Sequence, residues 1–140
     1  MGNFFAREHR WTRIALMLSG ILYAILYPKA MWTSETGWMW VTPARNLPME
    51  NMLVAMYIVA GIMLFWATRD PVRFLPLIDY TIVANIAHGF VMLNDATRLH
   101  MADHLRPSGD VIGTFIVPVL LIVTHPRHFY LDAIFRRRSA

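Results

Sequence analysis

The sequence predicts an all-α fold, an integral membrane four-helix bundle, and three observations support this class. The chain of 140 residues is 56% hydrophobic. Only 16% of its residues are charged, whereas soluble domains are about 25% charged. The apolar residues form four runs, separated by polar segments that contain glycine or proline. We therefore expect a single membrane domain over residues 1–140.

Each apolar run is interpreted as one span of the membrane, which needs about 20 predominantly apolar residues. The predicted spans are about residues 12–30, 49–68, 73–94 and 110–125.

The basic start of the chain also fits a signal peptide. However, Tyr27-Pro28-Lys29 is not a small-residue cleavage site, so the first apolar run is interpreted as a membrane helix. Gly20 and Ala24 lie four residues apart, a spacing that allows a neighbouring helix to approach closely.

The segments between the spans predict further structure at the membrane surface. The turn Arg69-Asp70-Pro71 is short, so the second and third spans should form an antiparallel hairpin. Residues 95–106 predict a short amphipathic helix after the third span, or a continuation of that span. The aromatic and basic residues of 127–138 predict an interfacial C-terminal helix. Pro118 is expected to kink the fourth span.

Charge predicts the orientation in the membrane. With four spans, both termini and the central turn lie on one side, which carries nine of the basic residues, whereas the other side carries four. The nine are Arg7, Arg10, Arg13, Arg69, Arg73, Arg127, Arg136, Arg137 and Arg138, and the four are Lys29, Arg45, Arg98 and Arg106. The positive-inside rule then places both termini in the cytoplasm, in a multi-pass protein of the inner (cytoplasmic) membrane.

Polar residues inside the third span mark the candidate site. Asn85, His88, Met92 and Asp95 are spaced by three and four residues and therefore share one helix face. Intramembrane ionisable groups usually face protein or a water-filled cavity. Asn85 and His88 are therefore candidate cofactor-binding residues. The structural alternative is a neutral His88 that is hydrogen-bonded to Tyr23, Tyr57 or Glu50.

Asp79 lies on the opposite face of the same helix, towards the predicted cytoplasmic end. We expect it to form a structural ion pair with Arg69 or Arg73.

A metal site is the alternative interpretation of the outer half of the chain. Imidazole and carboxylate groups suit zinc, copper and iron. The candidate ligands are Glu50, His88, Asp95, His100, Asp103 and His104. The chain has no cysteine, so thiolate sites and disulfides are excluded.

The positions of the histidines also bear on the binding of tetrapyrrole cofactors. A haem between two histidines is not expected, because His125 and His128 fall on the side away from His88. The spacing of Ala84 and His88 is similar to the one by which antenna helices ligate bacteriochlorophyll, which leaves that pigment as one alternative.

Several short motifs resemble a family of small bacterial four-span membrane proteins with no assigned function. They are Glu50 at the head of the second span, the Ala67-Thr68-Arg69-Asp70-Pro71 turn, Leu77-Ile78, and Ala87-His88-Gly89 with Met92. The resemblance covers roughly the stretch from Glu50 to Met92. It implies the four-span fold and an active role for Glu50 and His88, but no specific activity.

Three classes of function follow from these features. The small size and aromatic loop favour an accessory or structural subunit of a larger membrane complex. The histidines and carboxylates favour a metal- or cofactor-binding membrane protein, and the intramembrane polar residues favour a small transporter or channel component. The residues do not decide whether the protein is an enzyme, although they favour the non-enzymatic classes. The expected partners are membrane lipids and other membrane subunits or further copies of the chain, and no nucleic acid is expected.

Overall fold

A computed structural model describes residues 9–33, 47–99, 102–105 and 110–126 of the chain. These residues form helices and turns, and no strand occurs among them. The four helices are α1 (Arg10–Thr33), α2 (Leu47–Ala67), α3 (Leu75–Arg98) and α4 (Asp110–Val123). A short 3₁₀ turn, Ala102–Leu105, lies between α3 and α4. The all-α prediction is therefore confirmed for the described residues.

Three of the helices are long and apolar enough to cross a membrane. At a rise of about 1.5 Å per residue, α1 and α3 are roughly 36 Å long and α2 is roughly 31 Å long, against a hydrocarbon core of about 30 Å. Helix α4 is also apolar but is only roughly 21 Å long. The membrane prediction thus agrees with three helices, whereas the described part of the fourth helix is shorter than the hydrocarbon core.

Helix α1 is continuous through Pro28, where a regular α-helix would break. Proline has no backbone N–H and its ring crowds the preceding turn. The chain accommodates this with a π-helical turn at Leu22–Leu26, in which the Tyr27 N–H donates to the carbonyl of Leu22. The helix can then continue to Thr33, beyond the predicted end of the first span near residue 30.

Helices α1 and α2 cross where three small residues meet. A Cβ atom added to Gly61 would lie 2.6 Å from the backbone nitrogen of Ala24 and 2.8 Å from the carbonyl oxygen of Gly20. The backbones approach this closely because no larger side chain separates them. The prediction from Gly20 and Ala24 is therefore confirmed, with Gly61 as the partner on α2.

Helices α3 and α4 form the second closely packed pair. Met92 and Ala96 on α3 are buried against Val111, and the Thr114 hydroxyl donates to the Met92 sulfur at 3.2 Å. The ring of Phe115 lies over Gly89, where an added Cβ would approach the ring to 2.5 Å. This packing explains why α3 continues to Arg98, beyond its predicted end near residue 94. Of the two alternatives predicted for residues 95–106, the structure shows the continuation of the third helix, to Arg98, followed among the described residues by the 3₁₀ turn.

The two pairs join through α1 and α4. The Thr12 hydroxyl donates to the backbone carbonyl of Thr124, so the first turn of α1 and the end of α4 lie at the same end of the bundle. All four helices contribute to one core, which includes Leu16, Leu64, Ile78 and Val117. This arrangement agrees with the prediction that consecutive helices run in opposite directions. The assignment of that end to the cytoplasm stays a prediction, and the interfacial helix expected at 127–138 lies outside the described residues.

Candidate functional site

A groove separates α2 from α3. Helix α1 packs along α2 and α4 packs along α3, but no comparable backbone contact joins α2 to α3 in the described part of the chain. The groove has a volume of about 210 Å³ and opens along one side. Its lining residues are Tyr23, Leu53, Met56, Tyr57, Ala60, Tyr80, Thr81, Ala84, Asn85 and His88. It therefore contains both residues that the sequence predicted for cofactor binding.

The floor of the groove is a hydrogen-bonded chain of two side chains and one backbone carbonyl. Tyr23 on α1 is only 4% exposed, and its hydroxyl donates to the side-chain carbonyl of Asn85. The Asn85 amide nitrogen donates in turn to the backbone carbonyl of Thr81 at 2.7 Å. A buried hydroxyl needs such a partner, because an unpaired one costs about 1–3 kcal/mol. Asn85 thus ties α1 to α3 across the floor.

Three tyrosines pack together next to this floor, and two of them, Tyr23 and Tyr57, line the groove. The ring centroid of Tyr57 on α2 lies 5.1 Å from that of Tyr23, with the rings nearly perpendicular, and 5.2 Å from that of Tyr27. Tyr23 and Tyr27 are 5.7 Å apart. Edge-to-face packing of this kind stabilises aromatic clusters. The cluster therefore fixes the position of Tyr23 beneath Asn85.

His88 lies at the open side of the groove. It is three residues after Asn85 on α3, on the same face, and its side chain is exposed. Tyr23 and Tyr57, two of the hydrogen-bond partners considered for it, line the same groove. The hydroxyl of Tyr23 is directed to Asn85.

The predicted stripe of Asn85, His88, Met92 and Asp95 is divided between two environments. Asn85 and His88 line the groove, whereas Met92 is buried against α4. Asp95 is half-buried and accepts a hydrogen bond from the Asn94 side chain at 3.2 Å. Only the first half of the stripe therefore belongs to the groove.

The predicted metal ligands are partly outside the described residues. Glu50 is buried in the first turn of α2, and His104 is half-buried in the 3₁₀ turn. His100 and the side chain of Asp103 are not described. Among the described residues, no group of three histidine or acidic side chains is placed so that it could hold a metal ion. The six-residue site stays a prediction.

Asp79 pairs with a residue that the sequence did not single out for it. Its Oδ1 lies 3.0 Å from Nε2 of His125, just after the end of α4. The His125 side chain is 2% exposed and that of Asp79 is 49% exposed. The structure therefore gives Asp79 a partner, His125, that was not predicted. The predicted partners were Arg69 and Arg73.

Sequence reasoning missed the tyrosine cluster as a feature of the site. Tyr23 and Tyr27 are four residues apart and thus share a helix face, which was the available signal. Nothing in the sequence indicated that Tyr57 would pack against both.

The hydrogen bond between Tyr23 and Asn85 can be tested by a double-mutant cycle. Asn85→Leu leaves the buried Tyr23 hydroxyl without its acceptor, so we expect the free energy of unfolding to fall by about 1–3 kcal/mol. Tyr23→Phe removes that hydroxyl, and the double variant should therefore be less destabilised than the sum of the two single variants. Unfolding of the purified variants in mild detergent measures the coupling, and simple additivity would show that the bond does not form.

The three long apolar helices indicate a small helical membrane protein. A family model matches residues 6–128, and the chain belongs to this family, which is described as a family of unknown function (DUF6632). The expected membership in an uncharacterised family is thereby confirmed, and the match extends well beyond Glu50 to Met92. No curated protein and no solved structure matches the chain significantly.

Proposed function

We propose that this protein is an accessory subunit of a larger membrane complex and that it contacts its partner through the exposed face of α2. The observation that supports the proposal is that only a small part of this helix is buried by the rest of the protein. Only 17% of the most apolar stretch of α2 is buried inside the protein, against 39% for α1 and 33% for α3. Most of the surface of α2 is thus available to lipid or to another subunit.

The pattern of that surface favours a protein helix as the occupant. Met49, Met52, Met56, Val59 and Met63 follow one another at intervals of three and four residues, and all are exposed. This spacing gives the apolar seam along which two helices pack. Acyl chains require apolar side chains but no particular spacing. We call these five residues the methionine seam.

The chemistry of the methionine seam also supports a protein contact. All four methionines of α2 lie on it, and none is buried inside the protein. Methionine is unbranched and polarisable, so it adapts to the surface of a partner. A neutral, apolar membrane helix with small residues along one face is the partner that fits.

Photo-cross-linking in the native membrane tests the proposal. A benzophenone amino acid at Met52, which is 71% exposed, should give one cross-linked product with a different membrane protein, and that protein should co-purify at fixed stoichiometry in mild detergent. The same probe at Ile25, an exposed position on α1, serves as the control. Met52→Lys should abolish co-purification, because a lysine at this depth opposes helix packing. Cross-links only to lipid, or only between two copies of the chain, would contradict the proposal.

A further inference from the structure

The first turn of α1 and the end of α2 lie at the same end of the bundle. A Cβ atom added to Gly61 would meet Ala24. A Cβ atom added to Gly20, one turn earlier on α1, would meet Phe65, one turn later on α2. The two helices therefore run in opposite directions. The end that they share, with the turn that follows α2, is called the basic end, and its exposed arginines are Arg10, Arg69 and Arg73.

Exposed tryptophans mark the level of the membrane surfaces along α1. Trp11 and Trp32 are 21 residues apart, and both side chains are exposed. At 1.5 Å per residue this separation is roughly 32 Å, close to the hydrocarbon thickness of about 30 Å. Tryptophan is enriched at the level of the head groups, because its ring is apolar and its N–H needs a polar partner. Trp11 therefore places the basic end among the lipid head groups.

Two of the three arginines are stacked on tryptophans. The guanidinium carbon of Arg10 lies 5.9 Å from the centre of the Trp11 ring. The guanidinium carbon of Arg69 lies 5.3 Å from the centre of the Trp66 ring. A stacked guanidinium uses its flat face for this contact, while its N–H donors lie in the plane of the group. The stacking thus holds the arginines at the interface and leaves N–H donors for an anion.

No carboxylate neutralises these arginines within the described part of the chain. All three are exposed, and none forms an ion pair there. The nearby aspartates have other partners. Asp70 accepts a hydrogen bond from the backbone N–H of Arg73 at 3.2 Å, and Asp79 pairs with His125. The basic end therefore has a positive charge that an anionic membrane surface complements.

We propose that the basic end binds anionic phospholipid head groups, and that Arg10, Arg69 and Arg73 hold their phosphates. A guanidinium donates paired hydrogen bonds to phosphate oxygens. A zwitterionic head group also carries an ammonium, which the arginines repel, so the anionic lipid is preferred. The depth given by Trp11 favours a lipid over a soluble anion. The three arginines lie beyond Met63, the last residue of the methionine seam, so this surface is separate from the one proposed for the partner.

Electron spin resonance of lipids labelled on the acyl chain tests this surface, with the purified full chain in liposomes. Lipid in contact with protein is motionally restricted, so the spectra compare the affinities of phosphatidylglycerol and phosphatidylcholine. We expect phosphatidylglycerol to be preferred at least roughly threefold at low salt, because one basic residue near the surface favours anionic lipid about fivefold. In about 1 M NaCl the preference should disappear, since salt screens exposed charges. Equal affinities at low salt, or a preference that persists at high salt, would overturn the proposal.

Two matched double variants assign the preference to the basic end. Arg10→Gln/Arg69→Gln removes two exposed charges there, and should reduce the preference by roughly half or more. Lys29→Gln/Arg98→Gln removes two exposed charges at the opposite end, and should leave most of the preference intact. A cooperative thermal transition shows that each variant is folded. Equal losses in the two variants would mean that only the total charge matters, which would also overturn the proposal.

Discussion

Replacing Gly61 with alanine is expected to destabilise the bundle by roughly 1–3 kcal/mol, since forced overpacking of a close contact has a cost of this order. The added methyl group would lie 2.6 Å from the backbone nitrogen of Ala24, and a backbone atom cannot move away as the end of a flexible side chain can. The two helices must therefore separate. Thermal unfolding in mild detergent measures the loss.

Gly113 provides a matched control for this variant. It is also a glycine inside a helix, but among the described residues a Cβ atom added there would meet only the Tyr27 hydroxyl at 3.9 Å, an ordinary contact. Gly113→Ala should therefore leave stability unchanged or raise it by up to about 1 kcal/mol, through the higher helix propensity of alanine. Equal effects of the two substitutions would mean that α1 and α2 do not cross at Gly61.

Loss of the His125 imidazole is expected to have the second large effect. His125→Phe keeps an aromatic ring in a site that is 2% exposed but removes the hydrogen bond to Asp79. Hydrogen bonds to charged groups contribute about 1.5–3 kcal/mol, so the free energy of unfolding should fall by about that amount. Denaturant unfolding in detergent gives this value.

A conservative variant separates the hydrogen bond from packing. His125→Gln retains an N–H donor, so it should recover part of the stability that His125→Phe loses. In addition, Asp79→Ala should cost less in the His125→Phe background than in the unmodified protein, because the two residues interact directly. If Gln is no better than Phe and the two substitutions are additive, the pair between α3 and α4 does not stabilise the fold.

The helices and their close crossing could be predicted from the sequence because the relevant signals are local. Apolar length predicted the helices, and the short turn Arg69-Asp70-Pro71 predicted that α2 and α3 are directly connected. The close pairing expected of a hairpin is not found among the described residues, because α2 and α3 pack on different neighbours. The spacing of Gly20 and Ala24 indicated where α1 would admit another helix. The continuation of α1 through Pro28 was harder to predict, because a π-helical turn removes the conflict that proline normally creates.

The candidate site was only half predictable, because it depends on contacts between distant parts of the chain. The spacing of Asn85 and His88 placed them on one face. In contrast, the bond from Tyr23 to Asn85 joins residues 62 positions apart, and His125 is 46 positions from Asp79. No local pattern specifies which residues of two helices will meet. The groove itself arises because α2 and α3 pack on different neighbours, and a hydropathy profile contains no such information.

A spin-label scan of α2 tests the central claim, that this helix crosses the membrane with the methionine seam exposed on the surface of the bundle. The chain contains no cysteine, so single cysteines can be introduced and labelled cleanly in nanodiscs. Labels at Met52, Met56 and Met63 should be accessible to oxygen, which partitions into lipid, and protected from a water-soluble nickel reagent. Labels at Val54 and Leu64, which are buried, should be protected from both reagents. Accessibility of the methionine positions to the nickel reagent, or equal oxygen accessibility on both faces, would contradict the account.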